Sequence, residues 1–100
     1  MIKVNVSKDL KNITIKGHAG YDVAGKDIVC AAVSSIVTTT INACIKLDNN
    51  SLNYQENEGL VVINLLSQNE TTIKLIENMI NMLEELAIEY KKNINIIKED

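Results

Sequence analysis

The stretch DIVCAAVSSIVTTTINACIKL, residues 27–47, decides the fold of this chain. Its apolar and small positions recur every three to four residues, the period of a helix that is buried along one side. These positions are Val29, Val33, Ile36, Thr40, Cys44 and Leu47. The β-branched run 37–41 favours a strand, but the whole stretch is long for a strand. We therefore predict a helix with Asp27 as its N-cap.

The residues before this helix predict a hairpin followed by a loop. Residues 2–6 and 13–15 alternate between apolar and polar side chains on either side of a polar, turn-like stretch, which is typical of two paired strands. Residues 17–26 show no regular pattern. This segment contains Gly17, Gly20 and Gly25. We expect it to be a loop with few buried contacts.

The residues after the helix predict the same order of elements again. Residues 52–54 alternate, a turn-like segment follows at 57–59, and the apolar run 60–66 completes a second hairpin. The segment 67–70 reads Ser-Gln-Asn-Glu and matches the capping-box pattern of a helix start. One face of that second helix is marked by Ile73, Ile76, Ile80, Leu83, Ala87 and Tyr90.

A last strand at 94–97 gives the element order ββαββαβ. No repeat, low-complexity segment or linker interrupts the 100 residues, and nearly half of them are apolar. We therefore predict a single domain over residues 1–100. Its class is α+β, with two helices packed on one mixed, mainly antiparallel sheet.

Charge and the N-terminal pattern limit the partners. Every basic residue is Lys, the net charge is −3, and no basic block interleaves with aromatic residues. We therefore expect no direct binding of nucleic acid. Residues 1–6 alternate like a strand and contain no apolar segment of signal-peptide or membrane-span length. We expect a cytoplasmic protein that does not bind a membrane.

The glycine-rich loop and the helix start contain the only histidine, His18, and one of the two cysteines, Cys30. If Asp27 is the N-cap, Cys30 lies in the first helical turn, where backbone N–H groups and the helix dipole favour a thiolate. The loop is long enough to bring His18 to Cys30. An imidazolium there would support the thiolate and could protonate a leaving amine. Backbone N–H groups near the helix start are then the expected oxyanion donors.

The same residues also have ordinary structural interpretations. A lone Cys in such a helix is often a core residue, and a lone His at a strand end is often a surface group. The two cysteines would lie about 21 Å apart along a continuous helix, whereas a disulfide needs Cα atoms within about 7 Å. We therefore assign Cys44 to the core. One His and two widely spaced cysteines make no recognisable zinc site, so neither a metal nor a cofactor is expected.

The triplet GHA at 17–19 and the stretch GKDIVCAAVS at 25–34 resemble the signature of the Prp family. The length and the element order fit as well, so the resemblance covers the whole chain. Members are cysteine proteases of Firmicutes and relatives that remove an N-terminal extension, with hydrophobic and aromatic residues, from large-subunit ribosomal protein L-twenty-seven. The resemblance implies His18 as the base, Cys30 as the nucleophile, and a homodimer.

The roles of the neighbouring residues stay open at this point. Asp27 either positions His18, as the third member of a triad would, or only caps the helix. Ser34 either lines the site or packs against the loop. The three loop glycines are either hinges of a lid over the peptide or meet ordinary turn requirements. The rival function is a non-catalytic, ribosome-associated binding module with the same fold, and a redox thiol protein is a weaker third possibility.

Overall fold

The computed structural model describes residues 1–99 and has the predicted element order. The elements are β1 (Ile2–Val6), β2 (Asn12–Lys16), α1 (Ile28–Leu47), β3 (Leu52–Asn57), β4 (Leu60–Leu65), α2 (Glu70–Glu89) and β5 (Ile94–Lys98). The predicted class, α+β with two helices on one sheet, is confirmed.

The five strands form one sheet in the order β3-β4-β2-β1-β5. Neighbouring strands pair antiparallel except β1 and β5, which are parallel, with Ile2 opposite Ile94. The sheet is therefore mixed and mainly antiparallel, as predicted. The strand order places the β3–β4 hairpin beside the end of β2, and the start of β5 beside the start of β1.

Both helices cover one face of the sheet. The burial pattern of β1 alternates strictly, and its core-facing residues pack with those of β2 and β4. This core consists of Ile, Val, Leu, Met and small side chains without any Phe or Trp. Burial of such apolar surface is the main favourable term for folding, at about 25 cal/mol per Å².

The buried face of α1 differs in part from the predicted one. Its buried residues are Val29, Val33, Val37, Ile41 and Cys44. Ile36 and Thr40 are only half-buried, and Leu47 is exposed. The prediction followed three- and four-residue steps, whereas the face against the sheet keeps strict four-residue steps through the β-branched run. Packing of this run against the sheet outweighs its preference for a strand.

The start of α2 also differs from the predicted capping box. Asn69 is the N-cap, because its Oδ1 accepts hydrogen bonds from the N–H groups of Thr71 and Thr72. The Ser67 hydroxyl instead accepts the Asn69 N–H in the turn before the helix, at 3.0 Å. Glu70 is thus the first helical residue and not the third, as a capping box requires. The capping-box assignment was wrong.

Candidate active site

His18 follows β2 and lies against the tip of the β3–β4 hairpin. The N–H of Gly17 donates to the carbonyl of Gly59 at 2.8 Å, which fixes the chain at this point. The His18 ring lies over Gly59, and a Cβ on that glycine would be 3.1 Å from Nε2. Gly59 also has a φ of +71°, a conformation that residues with a side chain rarely adopt. The glycine therefore serves both the turn and the imidazole.

The loop glycines do not share one role. Gly17 has a φ of +100°, and a Cβ there would collide with the carbonyl oxygen of Met1. Close approach of the backbone thus requires this glycine, which is the ordinary structural interpretation. Gly20 and Gly25 also have positive φ, but nothing lies within 4 Å of the position of a Cβ. Those two have the free space that a hinge needs.

Cys30 lies in the first turn of α1, as predicted. Asp27 is the N-cap, and its Oδ1 accepts hydrogen bonds from the N–H groups of Val29 and Cys30, both at 3.0 Å. Cys30 is a half-buried free thiol. The first turn places this thiol at the positive end of the helix dipole.

The second oxygen of Asp27 holds the loop. Its Oδ2 accepts the N–H groups of Tyr21 at 3.0 Å and Asp22 at 3.3 Å. These hydrogen bonds, led by that of Cys30, hold the pKa of the Asp27 carboxyl below its ordinary value of 3.8, against the opposing effect of desolvation. Within residues 1–99 the carboxylate makes no hydrogen bond to His18. The geometry thus supports the capping role and not the triad role.

The backbone N–H of Ala19 donates a hydrogen bond to Cys30 Sγ at 3.2 Å. By contrast, the N–H groups of Val29 and Cys30, at the start of α1, already donate to Asp27. The carboxylate cap thus satisfies these two groups. The donor that reaches the sulfur comes from the loop.

The loop is anchored in its first half and exposed in its second. Ala19 is 2% exposed, and its carbonyl accepts a hydrogen bond from the Asn93 side chain at 3.0 Å. The ring of Tyr21 packs edge-to-face on Tyr90, with centroids 5.6 Å apart. Residues 22–26 are exposed. The expectation of few buried contacts is therefore wrong at Ala19, whereas the exposure of residues 22–26 agrees with it.

One cleft of about 700 Å³ brings most of these residues together. It is lined by His18, Gly20, Asp22, Ala24, Gly25, Lys26, Asp27, Ile28, Cys30, Ala31, Ser34 and Glu58. Ser34 thus lines the cleft, and it also borders the space between α1 and the sheet. Glu58 was missed by the sequence interpretation, because a turn glutamate carries no signal of its own until the strand order places the hairpin beside His18.

Cys44 lies away from this cleft, and the other cavities in the part of the chain that the structure describes are lined by neither Cys nor His. Cys44 is fully buried in the core, and burial raises the pKa of its thiol. Another cavity, of about 370 Å³, lies at the far end of β1 and is lined by Lys8, Glu77 and neighbouring residues, without Cys or His. Within residues 1–99, no three His, Cys, Asp or Glu side chains converge as metal ligands.

A cleft that pairs a free thiol at a helix N-terminus with an imidazole has the arrangement of a cysteine hydrolase. The profile of the family described as cysteine protease Prp matches residues 1–95. The ribosomal processing cysteine protease Prp of Staphylococcus aureus is 32% identical, over 95% of this chain and 92% of that protein. Its Bacillus subtilis counterpart is 28% identical, over 95% of this chain and 91% of that protein.

A solved structure adds a match of the fold. The crystal structure of the Staphylococcus aureus protease in complex with a covalently linked product peptide superposes with a TM-score of 0.92 at 25% identity, covering 99% of this chain and 100% of that one. The chain belongs to the Prp family of cysteine proteases.

Proposed function

We propose that this cysteine protease uses Cys30 as its nucleophile and His18 as its base. Their shared position in the cleft, with the sulfur in the first turn of a capped helix, carries this proposal. The Ala19 N–H donates to the Cys30 sulfur, which lies at the positive end of the α1 dipole. Asp27 sets the conformation of the loop and of the helix start together, and Ser34 borders the peptide site.

The chemistry is peptide hydrolysis through a thioester. The Cys30 thiolate attacks the scissile carbonyl carbon, and the carbonyl oxygen becomes an oxyanion. When the intermediate collapses, the carbon–nitrogen bond breaks and the His18 imidazolium gives its proton to the departing amine. His18 then takes a proton from water, and the resulting hydroxide attacks the thioester. The carbon–sulfur bond breaks and restores the thiolate, and the carboxylic acid product loses its proton to the solvent.

The proposed substrate is the N-terminal extension of large-subunit ribosomal protein L-twenty-seven. The relatives in Staphylococcus aureus and Bacillus subtilis are both described as ribosomal processing proteases, which supports a ribosomal protein as the target. An extended, apolar peptide suits a cleft bordered by an exposed loop segment, residues 22–26, that has room to move over it.

The test is cleavage of a synthetic peptide with the sequence of that extension, with a scrambled peptide as the control. The protein should cut the first and not the second, and an uncut first peptide would contradict the proposed substrate. His18→Ala should nearly abolish cleavage and leave the melting curve close to that of the parent, because His18 is exposed and contributes little to the core. Retained turnover in this variant would show that His18 is not the base.

We also propose a homodimer that buries the outer face of α1 beyond the cleft. The exposed positions of α1 that do not line the cleft are Ser35, Thr38, Thr39, Asn42, Lys46 and Leu47. Only Lys46 among them is charged. By length and composition α1 is apolar enough to cross a membrane, although its other face lies in the core. Depletion of charge is typical of interface cores.

Light scattering measures this directly. The protein should have twice the mass of one chain, and Thr39→Glu should shift it toward a single chain by placing a charge in the interface. Asn81→Glu, on the exposed face of α2, is the matched control and should stay dimeric. A single-chain mass for the parent would contradict the dimer.

We further propose a cytoplasmic location, since a reducing compartment keeps the nucleophilic thiol free. Cell fractionation tests this location.

A further inference from the structure

The side chain of Asn93 connects a distant part of the chain to the active-site loop. Asn93 lies just before β5, and its Nδ2 donates to the carbonyl of Ala19 at 3.0 Å across 74 positions of sequence. Asn93 is itself half-buried. Its backbone bonds are separate from this contact. Its N–H donates to Tyr90 and its carbonyl accepts from Ile2, so the fold does not depend on the amide side chain for these bonds.

Ala19 is hydrogen-bonded both to Asn93 and to Cys30, the proposed nucleophile. The N–H of Ala19 donates to Cys30 Sγ, while the carbonyl of Ala19 accepts from Asn93. Ala19 also directly follows His18 in the chain. The two hydrogen bonds are made by the two peptide groups that meet at the Ala19 Cα, so a shift of that Cα would move both the N–H at the sulfur and the adjoining His18.

A second contact comes from the same turn between α2 and β5. The ring of Tyr21, two residues after Ala19, makes an edge-to-face contact with the ring of Tyr90, the C-cap of α2. The turn thus supports the anchored half of the loop at two points. Of these two contacts, only that of Asn93 is made to Ala19, the residue whose N–H is hydrogen-bonded to the Cys30 sulfur.

We propose that Asn93 is a positioning residue for the proteolytic reaction. It acts through Ala19, whose N–H donates to the sulfur of Cys30, the atom at which the reaction takes place. This rests on the proposed role of Cys30 as nucleophile. Because the contact acts on reactive groups and not on peptide affinity, its loss should lower kcat and leave KM nearly unchanged.

The test compares two variants of Asn93 with two of Asn95, which lies two residues further along, in β5, with its side chain exposed. Asn93→Ala deletes the donor, and Asn93→Asp keeps the shape but replaces the donor with an acceptor that repels the Ala19 carbonyl. Both should lower kcat about tenfold or more, as expected for one lost hydrogen bond. Asn95→Ala and Asn95→Asp should stay within about twofold of the parent, on the same scale.

A second measurement does not depend on peptide substrate. The rate of alkylation of Cys30 by iodoacetamide at neutral pH should fall in both Asn93 variants, since the thiolate loses a well-placed donor. Peptide mapping assigns the modified cysteine. General loosening of the fold would instead raise the alkylation of buried Cys44, so the two cysteines separate a positioning role from a structural one.

Three results would overturn the proposal. They are an unchanged kcat in both Asn93 variants, an effect confined to KM, and an unchanged alkylation rate at Cys30. Failure of both variants to fold, judged by circular dichroism, would show that the side chain is purely structural and would overturn it too. If the parent cuts no peptide, the proposed function fails, whereas the alkylation rates still decide the role of Asn93.

Discussion

The backbone N–H of Ala19 donates to the Sγ of Cys30 at 3.2 Å, across 11 positions of sequence. This N–H belongs to the peptide group that joins Ala19 to His18. The proposed nucleophile and base are therefore linked through the buried residue Ala19 even before a substrate binds. Order at the site comes from the first half of the loop, and freedom to admit a peptide comes from the second.

Amide exchange should show this division directly. In the free protein the Ala19 N–H should exchange far more slowly than those of Ala24 and Gly25, because it is bonded and its residue is buried. Addition of substrate peptide to an inactive variant should then slow exchange mainly in residues 22–26. Equal protection of that segment with and without peptide would contradict its role as a lid.

Replacement of Gly59 by Ala should impair cleavage more than stability. The positive φ of +71° predicts a loss of about 1 kcal/mol. The new Cβ would lie 3.1 Å from His18 Nε2 and push the ring away, which should lower kcat by about tenfold or more. Enzyme assays well below the melting temperature, where the variant stays folded, separate the two effects. Unchanged kcat would mean that the His18 ring tolerates the methyl group.

Acid should weaken the contribution of Asp27 to stability. Hydrogen bonds, chiefly from the Cys30 N–H, lower the pKa of Asp27 from 3.8 in the folded state. Folding thus favours the carboxylate, so its stabilisation is fully present above pH 3.8 and is lost as the pH falls through the lower, folded value. Urea unfolding should show Asp27→Asn to be less stable than the parent near neutral pH, with the two curves converging in acid.

Asp9 offers a matched control for this prediction. Its pKa is also lowered from 3.8, first by the Lys11 N–H and then by the Ser7 hydroxyl. Asp9→Asn should therefore also be less stable than the parent near neutral pH, and its stability should also converge with that of the parent in acid. It should leave the alkylation of Cys30 unchanged, because Asp9 lies in the β1–β2 turn, whereas Asp27→Asn should change the rate of that reaction, because Asp27 is hydrogen-bonded to the Cys30 N–H and to the loop. Equal effects of the two variants on Cys30 would argue against a special role of the cap.

Local patterns in the sequence predict the elements of this fold well. The alternation in β1 and β2 and the N-cap at Asp27 depend on neighbouring residues only, and both were predicted correctly. Errors arose where two residues competed for one role. Ser67 and Asn69 are both good N-cap residues, and in the structure Asn69 takes this role.

Only the part of the site that lies on one continuous segment was predictable from the sequence. His18 and Cys30 lie at the two ends of one loop and its helix, so their shared cleft follows from local structure. Gly59 and Asn93 reach the same place through strand pairing, with β4 beside β2 and β5 beside β1. No local pattern specifies that pairing, because it depends on how all five strands bury one common face.

The two cysteines of α1 provide the sharpest comparison, because one helix places them in opposite environments. Cys30→Ala should abolish hydrolysis of the extension peptide while the protein still folds and binds it, since only the nucleophilic sulfur at the cleft is lost. Cys44→Ala should leave cleavage largely intact and lower the free energy of unfolding by about 1 kcal/mol or slightly more, because it removes a fully buried sulfur from the core. Peptide cleavage, peptide binding and urea unfolding of both variants test this. If Cys30→Ala still cut the peptide, or if Cys44→Ala were the inactive variant, Cys30 would not be the nucleophile.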